Sequence, residues 1–188
     1  MAKQKGNVVT HGLRGKIGDL LLFRQYASGT VVSSIPRASG KESELQKAQR
    51  RKFQHAVLYA KAISADPELN AAYAEKAKSK PGLSARNVAI ADFMHAPDIE
   101  RIDLSGYHGR AGDVIRIEVT DDFAVKEVKV VISKADGILV EEGNAQPDVL
   151  KCEWTYRATQ TNDDLTGLRI EIFASDMPGN ISTAMEEL

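Results

Sequence analysis

Asp113-Val114-Ile115-Arg116-Ile117-Glu118-Val119-Thr120 is the stretch on which the fold turns. Ile115, Ile117 and Val119 fall on one side of an extended chain, and Arg116, Glu118 and Thr120 on the other, because successive side chains of a strand point to opposite faces. Such alternation reads as a strand with one face in a core. The same period returns at Val128, Val130 and Ile132, set against Glu127, Lys129 and Val131. It returns again at Cys152, Trp154 and Tyr156, and at Leu168, Ile170, Ile172 and Ala174. Turn residues separate the runs: Gly106, Gly109 and Gly112; Asp121-Asp122; Asp136-Gly137; Asn162-Asp163-Asp164; Pro178-Gly179-Asn180. Weaker strands near Ile102, at 138–140 and near Ile181 bring the count to about seven. Residues 98–188 therefore read as a small antiparallel sandwich. Trp154 and Tyr156 fill its core, and Cys152 is placed on an inward face. Phe173 and Val131 point outward, towards the helical half or another subunit.

Upstream the period is helical. Ser43 with Gln46 three residues on forms a capping box, and Leu45, Phe53, Ala56, Val57, Ala60 and Ile63 recur on one face. Asp66 caps a second helix with Pro67 in its first turn and an apolar face of Leu69, Ala72, Tyr73 and Ala77. Pro81-Gly82 breaks it. A third helix over about 84–95 presents Val88, Ile90, Ala91 and Met94, and Ala96-Pro97 stops it.

Further upstream, 17–26 and 30–35 are two strand-rich runs around Gly29, which read as a hairpin ended by Pro36. A lone hairpin is marginal in water, so it must pack on something or pair its edges with another chain. Residues 1–16 carry Lys3, Lys5, Arg14 and Lys16 with no acid, which suggests an extended basic arm.

Charge is unevenly placed. Residues 1–62 hold 12 Lys and Arg against 3 Asp and Glu, a local charge of +9. The remainder holds 13 against 23, a local charge of −10. This split suits head-to-tail association between copies, or contact of the arm with nucleic acid; two ordinary surfaces of opposite bias would look the same. With 43% hydrophobic and 27% charged residues the composition is that of a folded globular chain. No apolar run is long enough to cross a bilayer. The polar start carries no secretory signal, so cytoplasmic synthesis is expected, with a virion or other released assembly as a destination.

The phrases Gly112-Asp113-Val114-Ile115-Arg116-Ile117, Asp121-Asp122-Phe123-Ala124-Val125-Lys126-Glu127-Val128 and Ala174-Ser175-Asp176-Met177-Pro178-Gly179-Asn180-Ile181-Ser182 resemble the immunoglobulin-like modules of bacterial surface and phage proteins. The front, with Gly15-Lys16-Ile17-Gly18-Asp19 and Gln49-Arg50-Arg51-Lys52-Phe53, resembles small uncharacterised bacterial and phage-associated proteins. Neither resemblance carries a catalytic or metal-binding residue with it. The first implies an immunoglobulin-like strand order.

Signatures of chemistry are missing from the chain. Gly12, Gly15 and Gly18 precede no Lys-Ser or Lys-Thr pair, so they form no phosphate loop; flexibility or close backbone packing explains them better. His11, His55, His95 and His108 lack paired ligand spacing, Cys152 is the single cysteine, and no Gly-x-Ser-x-Gly elbow occurs. If the strands follow immunoglobulin-like order, three loops share one end and gather Asp121, Asp122, Glu142, Asp148 and Asp176, a set of oxygens that could hold calcium. The preferred reading is that these residues serve turn geometry.

The expectation is an α+β chain: a basic arm and β-hairpin over 1–37, three helices over 38–97, and an immunoglobulin-like antiparallel β-sandwich over 98–188. No catalytic residue and no cofactor are expected. The expected role is that of a non-enzymatic structural subunit of a filament, tube or virion. Its interaction residues would be Arg14, Lys16, Leu21, Phe23, Arg24, Tyr26, Val31, Arg50 and Arg51. The alternative is nucleic-acid binding through Lys3, Lys5, Arg14, Lys16, Lys47, Arg50, Arg51 and Lys52.

Overall fold

The computed structural model describes residues 2–4, 12–26, 29–35, 40, 42–79, 82–150 and 152–188, with only the backbone of 2–4. Most of the expected basic arm, including Lys5 and His11, lies outside the described residues. So do Pro36, Pro81 and most of the linker over 38–42. The chain is α+β and divides into two compact units, Met1–Ala48 and Gln49–Leu188.

The first unit holds four strands: β1 (Ala2–Gln4), β2 (Gly15–Ile17), β3 (Leu21–Tyr26) and β4 (Gly29–Ser34). They form one antiparallel sheet in the order β1-β4-β3-β2. The expected hairpin is β3–β4, with Tyr26 opposite Gly29. Its two outer edges are taken by short strands of the same chain: β1 pairs residues 30–32 and β2 pairs residues 21–23. Gly12, Gly15 and Gly18 all have positive φ, at 77°, 103° and 54°, and no atom crowds the place of a missing Cβ. Backbone conformation, not close packing, is what asks for glycine there.

The second unit begins within α1 (Glu44–Ala65). The capping box forms as expected: Gln46 N–H donates to Ser43 Oγ at 3.2 Å and Ser43 N–H to Gln46 Oε1 at 2.9 Å. Ala56, Ala60 and Ile63 are buried, but Leu45 and Phe53 are exposed, so the packed face starts three turns into the helix. Asp66 closes α1 and opens α2 (Pro67–Ala77), accepting from the N–H groups of Glu68 and Leu69. Ser84 caps α3 (Ala85–Met94), which stops at His95 in extended conformation, two residues before Pro97. The three helices share a small core of Ala60, Ile63, Tyr73, Ala77, Val88 and Ala89.

Eight strands follow: β5 (Asp98–Asp103), β6 (Val114–Thr120), β7 (Val125–Ser133), β8 (Leu139–Asn144), β9 (Gln146–Pro147), β10 (Glu153–Arg157), β11 (Arg169–Asp176) and β12 (Ile181–Glu187). They make two antiparallel sheets, β5-β6-β10-β9 and β12-β11-β7-β8. The inward residues read from the alternation form one core: Ile115, Ile117, Val119, Val128, Val130, Ile132, Trp154, Tyr156, Leu168, Ile170, Ile172 and Ala174. Each fully buried Ile or Val side chain contributes roughly 1.5–3 kcal/mol. The two-residue β9, paired with Trp154 and Thr155, is an addition to the expected seven. Cys152 corrects an expectation: it is exposed and precedes β10, because the strand takes up its alternation only at Glu153.

Residue 97 marks no boundary between compact units. Phe123, in the β6–β7 loop, packs against the helical core and stacks on Tyr73 with ring centroids 3.9 Å apart. Ser182 Oγ, on β12, donates to the carbonyl of Pro97. The helices are thus fastened to one end of the sandwich, and that junction holds the buried acids.

Candidate functional site

Three carboxylates converge at the junction. Asp92 comes from the last turn of α3, Asp121 from the loop after β6, and Asp176 from the end of β11. One oxygen from each lies within 4.8 Å of the others. Asp92 and Asp176 are fully buried, each with 0% exposure.

Each acid is held from outside the cluster. Tyr73 donates its hydroxyl to Asp92 Oδ2, and Tyr59 OH lies 2.9 Å from Tyr73 OH. Since the Tyr73 proton is committed to Asp92, Tyr59 is the donor in that second bond. Phe123 N–H donates to Asp121 Oδ2 at 3.1 Å. Asp176 Oδ1 accepts from the N–H groups of Gly179 and Asn180 at 2.8 and 2.6 Å. Asn180 Nδ2 is 2.6 Å from Asp176 Oδ2 and faces the carbonyls of Asp92, Phe93 and His95 at 3.1, 3.3 and 2.9 Å. Asn180 therefore ties the β11–β12 turn to the end of α3. Two oxygens in this network, Asp92 Oδ1 and Asp121 Oδ1, are buried and, with the acids ionised, accept no hydrogen bond.

The electrostatics follow from the crowding. Burial pushes the Asp92 carboxyl up to about 7, opposed by the Tyr73 hydrogen bond and helped by the charges of Asp121 and Asp176 and by a side-chain hydrogen bond with Asp121. Burial also raises Asp176, against its hydrogen bonds to Asn180 and Gly179. The Tyr73 hydroxyl is raised well beyond its ordinary range by burial and by its bond to Asp92, so it remains a proton donor.

Of the five acids expected to gather, two do. The loop carrying Asp148 does reach this end, since Val119 N–H donates to Cys152 O and Leu150 lines a hollow with Asp121 and Phe123. Its carboxylates are occupied elsewhere, however. Glu142 pairs with Lys129 at 2.8 Å, and Asp148 Oδ1 accepts from the N–H groups of Cys152 and Glu153. Asp122 faces outward and meets His95 Nδ1 at 2.5 Å. Asp148 thus bonds the backbone of its own turn; Asp121 and Asp176 bond nearby backbone and also face a third acid.

The expected interaction residues divide. Along β3 the faces alternate, so Arg24 and Tyr26 share one face with Lys16 and Val31, while Leu21 and Phe23 lie on the other. Lys16, Arg24 and Tyr26 are exposed and Val31 is half-buried. Phe23 is buried, which removes it from the set. Arg14, Arg50 and Arg51 are exposed. Lys47 pairs with Glu44, and Lys52 donates to the carbonyl of Met94, capping the C-terminal end of α3.

No family model matches the chain. No curated protein matches it. Among solved structures it is similar to CopC from Methylosinus trichosporium OB3b, with 18% identity and a TM-score of 0.36, over 48% of this chain and 88% of that one. A likeness of that size carries no argument about this chain, whose site rests on its own geometry.

Asp92, Tyr73 and Asn180 were not read from the sequence as site residues. For Asp92 a signal was present: it stands three and four places after Ala89 and Val88, on the packed face of α3. A carboxylate on such a face needs partners.

Proposed function

We propose that this chain is a non-enzymatic structural protein that assembles with further copies of itself through its N-terminal sheet and the first turns of α1. The observation that carries this reading is the sheet β1-β4-β3-β2 with its exposed apolar residues. It leaves Ile17, Leu20, Leu21 and Tyr26 exposed beside Lys16 and Arg24. Among the described residues, β1 and β2 pair only half of the six-residue strands they border. Open strand edges are the usual template for pairing with another chain. Residues 44–55 of α1 are exposed, Leu45 and Phe53 included, although Lys52 reaches the carbonyl of Met94. Three turns of helix gain little stability by themselves and are well suited to a partner.

A second copy is the occupant that the charge favours, since residues 1–62 carry +9 and the remainder −10. Repeated head-to-tail contact of that kind closes into a ring or runs on as a filament. The sandwich in this reading is an immunoglobulin-like module. Lettered A, B, C, C′, D, E, F, G from β5 to β12, its sheets have the orders A-B-E-D and G-F-C-C′, which supports the resemblance to bacterial surface and phage modules.

Light scattering with negative-stain microscopy tests it, on the full chain and on the variant Arg24→Glu/Tyr26→Asp. The expected result is regular particles well above the 20.5 kDa of one chain, lost in the variant. A monomer at every concentration and salt overturns it. Salt-dependent retention of DNA or RNA by the monomer would favour the nucleic-acid reading instead.

A further inference from the structure

We propose that Asp92, Asp121 and Asp176 form a binding site for one divalent cation of the calcium class, which clamps α3 to the two sandwich loops. The inference is independent of self-assembly. Three carboxylates from three separate elements place one oxygen each within 4.8 Å of one another. Oxygens that share a calcium ion at 2.3–2.6 Å are at most about 5 Å apart, so the spacing suits a single ion. The second observation is the pair of unmet oxygens. Asp92 Oδ1, on a side chain with 0% exposure, and Asp121 Oδ1 are buried and, with the acids ionised, have no donor. An ionised oxygen left in that state is costly, and a cation is one way to meet it.

A proton shared between the neighbouring side chains of Asp92 and Asp121 is the other way, and the charge count favours the cation. Among the described residues no Lys or Arg forms an ion pair with any of the three acids. One proton leaves two negative charges in the junction, whereas a divalent ion leaves one. The donors are all hard oxygens, which selects calcium over zinc or copper. Carboxylates from a helix and two loops also fit calcium's tolerant geometry better than the strict octahedron of magnesium. The side of the cluster nearest solvent is at Asp121, which lines a hollow with His95, Asp98, Thr120 and Asp122. Asp98 and Asp122 make its mouth acidic.

The test uses the full chain, stripped with a chelator and then titrated with calcium chloride at pH 7.5. Expected are a saturable heat of one ion per chain and a rise in thermal midpoint of about 5 °C or more at saturation. Terbium should bind at the same place, with tyrosine-sensitised luminescence that calcium displaces. Asp121→Asn, which keeps shape and lies partly exposed, should weaken binding at least tenfold; Glu142→Gln, whose carboxylate pairs with Lys129, should leave it unchanged. Absence of heat, luminescence and midpoint shift at millimolar calcium would overturn the proposal and leave a shared proton in the cluster. Binding that survives Asp121→Asn and disappears in Asp122→Asn would overturn it too, by placing the ion at the acidic mouth.

Discussion

The N-terminal sheet and the sandwich sheets are built from similar material and meet different fates. All three are four-stranded and antiparallel, with alternating side chains. In the sandwich, two sheets face each other, and Ile115, Ile117, Ile132, Ile170 and Ile172 have 0% exposure. In the sheet β1-β4-β3-β2, Phe23 and Thr30 are buried, but Ile17 is 53% and Tyr26 52% exposed. Strand formation is a local matter. Burial requires a second layer, and a strand cannot supply one for itself. A sheet that leaves apolar residues uncovered is suited to contact, and a sheet whose residues are covered is suited to scaffold.

Substitutions should separate the two. Ile117→Ala or Ile172→Ala should cost about 2–5 kcal/mol in urea unfolding, the usual range for emptying a filled core. Loss below about 1 kcal/mol would break the comparison, since the sandwich would then be no better packed than the N-terminal sheet. Asp176→Ala removes the acceptor for two backbone N–H groups and the Asn180 amide, and should cost about 1–3 kcal/mol.

The pH dependence sharpens the contrast between buried and surface acids. Burial raises Asp92 from its ordinary 3.8 to about 7, so the folded chain holds a proton there that the unfolded chain has released. In chelator, stability should therefore fall as the pH rises from about 4 towards 7 and level off above. Asp113 lies at the surface, half-buried, and is held low by the N–H groups of Arg110 and His108, so its contribution is present above the ordinary carboxylate range and lost below it. Asp92→Asn should flatten the neutral limb of a plot of thermal midpoint against pH and leave the acid limb in place.

Smaller effects complete the series. Asp66→Ala should cost about 1 kcal/mol through the lost cap of α2. Leu21→Ala, on the N-terminal sheet, should shift the chain's own unfolding by less than about 0.5 kcal/mol. A larger shift would mean that Leu21 is packed more tightly than its exposure indicates.

Features written in neighbouring residues were legible. Ser43 with Gln46, Asp66 with Pro67, and Ser84 place the helix starts because a cap is made within three residues of itself. The alternation from Ile115 onward places the sandwich strands and their inward faces for the same reason: the period of a strand is a property of the backbone. The errors are equally local. Leu45 and Phe53 lie on the apolar stripe of α1, yet a stripe says which face can be buried and not how far along the helix a partner reaches.

The carboxylate centre belongs to the other kind of information. Asp121 and Asp176 were read as turn residues that share an end of the sandwich, and both do bond nearby backbone. That they meet Asp92 depends on α3 docking against that end, through Phe123 on Tyr73 and Asn180 on the carbonyls closing α3. The sequence by itself determined the strands, the helix caps and the uneven charge, since each arises from residues a few places apart. Only the tertiary structure decided which sheet would be covered and which acids would lose their water. Those outcomes depend on contacts between residues as far apart as Asp92 and Asn180, which no period along the chain encodes.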